Sequence, residues 1–277
     1  MNRSELGAAL RVLREASGKE AKAVARGAVM SASKLSKVET GKLAPTADDA
    51  DRILTAIGVS DDVKAEYMNA ARAVATEATA WRLIQRAGLH KAQRRLRALE
   101  ARMSLLRIFQ PALVPGLLQT PEYMRAVLSR HEDLTEDTVR QTVSARLERQ
   151  EVLYDQGKTL RFVITEPVLR WLIVPPMVMV GQLDRLISVS RLPNVDLRVV
   201  PLAGPKHDIP NHSIVVRDDR AVTVETVHAE VVVTDPRDVA LYVAKFDGFA
   251  SGAVVGDDMR DLLAAVRDDL FQQRESG

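Results

Sequence analysis

Residues 18–41 read GKEAKAVARGAVMSASKLSKVETG, and this stretch decides the fold. Two short helices joined by a tight turn fit it. The first covers Lys19–Arg26, with Ala21, Val24 and Ala25 expected inward. Ser31 suits the N-cap of the second, because its side-chain oxygen can accept from the orphan amides of the next turn. Leu35 and Val38 give that second helix a core face, while Ser33, Lys34 and Lys37 face away from it. Gly41 stops the helix, which spans Ser31–Thr40.

The flanks support this reading. Upstream, Leu6, Leu10 and Leu13 fall on one helical face, and Gly18 ends that helix. Downstream, Pro45–Thr46 lead into a helix over Asp48–Ile57 that carries Ile53, Leu54 and Ile57 and stops at Gly58. Asp61 opens a fifth helix reaching about Ala75. An all-α, five-helix head over residues 1–77 is therefore expected.

The stretches LGAALRVLREASG and MSASKLSKVETGKLAP, spaced from Leu6 through Ser31 and Glu39 to Gly41 and Pro45, resemble the lambda-repressor-like, or xenobiotic-response-element type, helix-turn-helix domain. The resemblance implies several residue roles. The arginine matching Arg14 pairs with the glutamate matching Glu39, which clamps helix 3 to helix 1. A carboxylate on or beside an inward face needs such a partner on physical grounds too. Ser31, Ala32, Ser33, Lys34 and Lys37 form the DNA-reading edge, and Thr40 and Lys42 meet phosphates. Ala32 can touch a thymine methyl, and Lys37 can donate to guanine O6 or N7. So sparse an edge implies dimeric binding, with half-sites about one helical turn apart. The sequence departs from the family twice. Ala21 stands where a phosphate-binding Gln is usual, and Val29 where the turn usually has Gly.

Composition bounds the rest. The 277 residues suffice for two domains. There is no cysteine, which fits a reducing cytoplasm and excludes thiolate metal sites and disulfides. The first residues lack the apolar core of a leader, and no run approaches the roughly 18 apolar residues of a membrane span. Net charge is only +2, but its distribution is uneven. Residues 1–81 carry 12 Lys/Arg against 11 Asp/Glu, residues 82–107 carry eight against one, and residues 108–277 carry 19 against 25. A basic helical linker over 78–107 is thus expected between a near-neutral head and an acidic body. It is read as a solvated helix, with accessory phosphate contact as the sharper alternative.

The body, residues 108–277, reads as α/β (α+β). Strand candidates are Leu160–Thr165, Val195–Pro201, Ser213–Arg217, Val222–Val227 and Val231–Val233, each Val-rich and bounded by turn residues. Asp218–Arg220 is the turn of a hairpin. Thr120 caps a helix with Pro121 at its first position. The motif PGLLQTPEY, followed by VSARLERQEVL, LRFVITEPVLRW and QLDRLISVSRLPNVDLRVVPLAG, resembles the C-terminal domain of unknown function that follows such helix-turn-helix heads in actinobacteria, the WhiJ-type architecture. That resemblance implies a transcriptional regulator. Its gene commonly lies beside one for a small partner protein, a pairing likened to toxin–antitoxin systems.

No nucleotide-loop, dinucleotide, metalloprotease or nucleophile-elbow motif occurs, and no cofactor, metal or catalytic residue is expected. His207, Asp208 and His212 read as loop residues, and Trp81, Phe109 and Trp171 as core or interface. Arg146 and Arg149 share a helical face. They are read either as internal salt bridges or as converging with Glu166 and Gln182 on a ligand or partner site, where paired arginines would suit an anionic group. Two functions follow. One is a cytoplasmic, nucleoid-associated, homodimeric repressor-like regulator of double-stranded operator DNA, with a body that binds a ligand or small protein. The alternative is a toxin-like body of ADP-ribosyltransferase-like kind, with the head serving autoregulation.

Overall fold

The computed structural model describes residues 3–80, 84, 88–206, 208–227 and 229–275, with backbone alone for residues 73, 75–80 and 273–275. It divides into two compact units. One is Met1–Ala78 with Val231–Val239, and the other is Thr79–Glu230 with Ala240–Gly277.

The first unit is the helical head. Its helices are α1 (Arg3–Ala16), α2 (Ala21–Gly27), α3 (Ala32–Glu39), α4 (Ala47–Ile57) and α5 (Asp61–Ala75). Leu6, Leu10, Val24, Leu35, Val38, Ile53 and Leu54 close into one apolar core. Ala25 is buried as expected, but Ala21 is exposed, because α2 turns its first residue to solvent. Glycine permits the tightest approach. A Cβ on Gly7 would lie 2.3 Å from the Val38 carbonyl oxygen, so α1 lies directly on the end of α3. Thr46 and Asp49 form a reciprocal capping box at the start of α4.

A short strand, β1 (Thr76–Ala80), follows. Its sequence, TEATA, has two β-branched threonines but no aromatic or large aliphatic residue. It was not anticipated. In the second unit come α6 (Leu89–Glu100), β2 (Leu105–Gln110), α7 (Pro121–Leu128) and α8 (Glu136–Arg149). After a 3₁₀ turn (Gln150–Tyr154) the order is β3 (Thr159–Thr165), α9 (Pro167–Arg170), α10 (Pro176–Val189), β4 (Val195–Val200), β5 (Ile214–Arg217) and β6 (Ala221–Glu225). β7 (Ala229–Val233), α11 (Pro236–Ser251) and α12 (Gly256–Glu275) complete the chain. β1, β7 and α11 each cross a boundary between the units.

Within the second unit the strands lie in the order β6-β5-β2-β3-β4. β2, β3 and β4 are parallel, with Phe109 opposite Val163 and Ile164 opposite Val199. β5 runs antiparallel to β2, and β6 antiparallel to β5. Asp218 and Asp219, both at φ 49°, make the hairpin turn whose left-handed geometry Asp tolerates. The parallel strands are covered on both faces. Leu106, Ile108, Phe162 and Ile164 pack with Leu183 and Leu186 of α10 and Leu263 of α12. On the other face Phe109 stacks on Phe249 of α11 at 3.9 Å.

The PGLLQTPEY motif forms a hydrogen-bonded knot. Gln182 accepts from the Thr120 amide and donates to the Leu118 carbonyl, both at 2.8 Å. Gln119 donates to the Val114 carbonyl at 2.7 Å, and Gln150 to the Gln119 carbonyl at 2.8 Å. Buried polar groups need such partners, so the motif's distinctive residues are accounted for by the fold.

Candidate nucleic-acid interface

α3 is positioned from both ends and from beneath. Ser31 accepts the Lys34 amide at 3.1 Å, and Gly41 leaves the helix at φ 67°. Beneath it, Leu35 and Val38 are fully buried. Arg14 of α1 grips Glu39 with a two-pronged pair, Nε to Oε1 at 2.6 Å and Nη2 to Oε2 at 3.0 Å. The Glu39 hydrogen bond holds the Arg14 pKa above its ordinary value. A forked pair fixes orientation as well as distance, so α3 has little freedom to roll.

The outward face is then defined by residue period. Ala32, Ser33, Ser36, Lys37 and Thr40 are all exposed, at i, i+1, i+4, i+5 and i+8. Ser36 was not among the expected readers. The same helical spacing that selected Ser33 and Lys37 includes it. Lys42 is exposed just past the helix end.

Three expected DNA-contact residues have internal duties. Lys34 does not project freely: its Nζ pairs with Asp49 of α4 at 2.7 Å. Asp49 is 1% exposed and also receives Arg52 at 3.2 Å. Burial alone would raise the Asp49 pKa. Hydrogen bonds from Lys34 and Thr46, with the Lys34 charge, outweigh burial and leave it below the usual range. Ser31 spends its side-chain oxygen as the cap, and the Thr40 hydroxyl donates back to the Ser36 carbonyl at 2.7 Å. On α2, Lys22 is exposed beside Ala21.

In the second expected cluster Arg146 and Arg149 lie near enough for Arg149's charge to act on Arg146, and each of the four residues has hydrogen-bond partners of its own. Arg149 pairs with Glu100 at 2.7 Å through Nε and donates to Gln93 at 3.1 Å. Arg146 donates to Gln119 at 3.2 Å, and burial pushes its pKa down to about 10. Glu166 accepts from Arg170 at 2.6 Å and from the Leu202 amide at 2.7 Å. Gln182 is fully buried in the knot around Thr120. Each of the four serves a different partner, because strong hydrogen bonds were available locally. Trp171 is 75% exposed and is not core, whereas Phe109 is. Trp81 and His207 lie outside the described residues. Asp208 pairs with Lys245 at 2.7 Å, and no metal-holding group of His, Cys, Asp or Glu occurs among the described residues.

Residues 93–265 match the family model described as Domain of unknown function (DUF5753). The chain belongs to that family. Residues 5–67 match the model described as Helix-turn-helix domain, so this family member carries a DNA-binding head in front of the family domain. No curated protein matches the chain. Among solved structures it is similar to TrmBL2, an archaeal chromatin protein, at 13% identity over 64% of this chain and 53% of that one, TM-score 0.34. The chain thus spans about half the length of TrmBL2, 53%. It is also similar to NucT from Helicobacter pylori, at 12% identity over 65% and 98%, TM-score 0.37. A third is Nuc from Salmonella typhimurium, a phospholipase D family member, at 10% identity over 65% and 97%, TM-score 0.35. Likeness this low decides neither fold nor activity. No helix among the described residues is long and apolar enough to cross a membrane.

Proposed function

We propose that this chain is a sequence-specific transcriptional regulator that reads operator DNA through the outward face of α3. The observation that carries this reading is the exposed stripe Ala32, Ser33, Ser36 and Lys37 on a helix whose opposite residues, Leu35 and Val38, are fully buried. A locked helix with a small polar outer edge suits the major groove, where Lys37 can donate to guanine and Ala32 can touch a thymine methyl. With Lys34 and Thr40 committed internally, few direct contacts remain. Binding therefore requires two copies on adjacent half-sites, a homodimer acting in the cytoplasm. Lys22 supplies a cation near the place of the missing Gln, and Lys42 another.

The body is the regulatory part, binding a ligand or a small partner protein. A nucleotide-dependent enzyme is disfavoured. That reading needs Arg146, Arg149 and Glu166 free in one cleft, and each is hydrogen-bonded to a structural partner of its own.

The test is an electrophoretic shift on the gene's own upstream DNA, with and without the product of the neighbouring small gene. Combined Ser33→Ala and Lys37→Ala is expected to reduce binding to the non-specific level while circular dichroism stays unchanged. Lys34→Ala is expected to lower the melting temperature and keep sequence preference. Unchanged specific binding by the double variant would remove α3 as the reader.

A further inference from the structure

The parallel strands β2, β3 and β4 end together at a cavity of about 920 Å³, with Gln110, Thr165 and Val200 at its floor. The carboxyl ends of parallel strands are where open α/β sheets place ligands. The volume is at the upper end of that for small-molecule sites. Its walls are largely apolar, built from Pro111, Leu113, Pro167, Pro201, Leu202 and Phe249. Leu202 and Val227, at the wall, are 55% and 103% exposed, an apolar rim with no covering side chain among the described residues.

The polar groups of the wall select by charge. Lys206 is spent on the carbonyls of Leu202, Ala203 and Gly204, at 3.1, 2.9 and 2.7 Å. Lys245, which is not among the lining residues, pairs with Asp208 of the wall at 2.7 Å and lies over the Phe249 ring. Lys206 is the one lysine or arginine in the described wall and is not free to meet an anion, and His212, also in the wall, turns its Nδ1 to the Ser213 carbonyl at 2.9 Å. Glu225 is in the wall, and its carboxyl makes no hydrogen bond among the described residues. Its surface is exposed, yet protein crowds its carboxyl. Desolvation first, then Glu230, raise its pKa against the pull of Arg146, Arg149 and Arg217.

We propose that this cavity binds a predominantly apolar small molecule whose polar end donates hydrogen bonds and which carries no anionic group. Its role as an effector site rests on the regulator reading above, whereas its occupancy does not. The site would accept the apolar body against the proline-rich walls and the donor at Glu225, and would disfavour phosphates and carboxylates, which meet the Glu225 carboxyl and no free lysine or arginine among the described residues.

Two probes that share one ring system test the charge selection. The full chain, without DNA, is titrated by fluorescence with neutral N-phenyl-1-naphthylamine and with 1-anilinonaphthalene-8-sulfonate. Saturable one-to-one binding of the neutral probe is expected, with the sulfonate at least about tenfold weaker. Gly248→Leu fills the cavity from α11, where an added Cβ meets nothing within 4 Å. It is expected to weaken the neutral probe at least about tenfold with no loss of melting temperature. Ala112→Trp fills the opposite wall and serves if the first variant is unstable. Absence of saturable neutral-probe binding, equal binding of the sulfonate, or undiminished binding by a folded filled variant overturns the proposal. Because no DNA is present, such a failure leaves the reading of α3 standing.

Discussion

Val29 sits in the turn between α2 and α3 at φ 52°, 78% exposed. A β-branched side chain crowds its own backbone in that region, and here it buries little surface in return. Glycine adopts the conformation freely but gives the unfolded chain more entropy, which offsets part of the relief. Val29→Gly is accordingly expected to stabilise the head by about 0.5–1 kcal/mol, read as a rise in the denaturation midpoint of the full chain. A fall in the midpoint would show that the turn is not strained. The same turn shows what sequence reading reaches at this scale. The position was legible through the family resemblance, since Val29 stands where the turn usually has Gly. The internal partner of Lys34 was not, because Asp49 lies 15 positions away on another helix and helical period is silent about it.

At the scale of elements, α3 is held by two ionic contacts, Arg14–Glu39 from α1 and Lys34–Asp49 from α4. The second gives the head a definite response to acid. The folded pKa of Asp49 is depressed, so its contribution is fully present above the unfolded value of about 3.9 and is lost as pH falls through the lower folded value. Asp49→Asn should therefore cost about 1–2 kcal/mol at pH 7, discounted because Lys34 is 39% exposed. The difference from the parent chain should shrink below pH 4. Paired urea melts at pH 7 and pH 3 check this, and a gap that stays constant would mean Asp49 acts only through its cap. Five helices and most of the strands were readable from period and caps. β1 was not, since Thr76–Ala80 has two threonines but no Val, Ile or aromatic residue to mark a strand. Nor was the cavity, which arises where three strand ends meet and has no motif of its own.

At the scale of the whole molecule the question is the basic stretch. The helix α6 falls in the second unit and is tied to the body rather than standing free. Glu100 is 1% exposed and gripped by Arg149, while Arg97 pairs with Glu148 at 3.2 Å and Glu151 at 2.6 Å. Arg107, counted with the same basic run, is buried against Asp219. Two of the collar's eight cations, Arg97 and Arg107, thus neutralise carboxylates of an acidic body, which a linear count of charges could not reveal. Arg102 remains exposed past the end of α6, and Lys91, Arg94 and Arg95 remain exposed on the helix itself. If α6 is a body element, these three contribute little to operator binding. Each phosphate neutralised steepens the plot of log affinity against log salt by about 0.9. The combined change of Lys91, Arg94 and Arg95 to Gln is therefore expected to alter that slope by less than about one unit. The Ser33→Ala and Lys37→Ala variant should instead lose sequence preference at every salt concentration. A slope reduced by about two units or more in the triple variant would make α6 a second DNA contact and move part of the affinity out of the head.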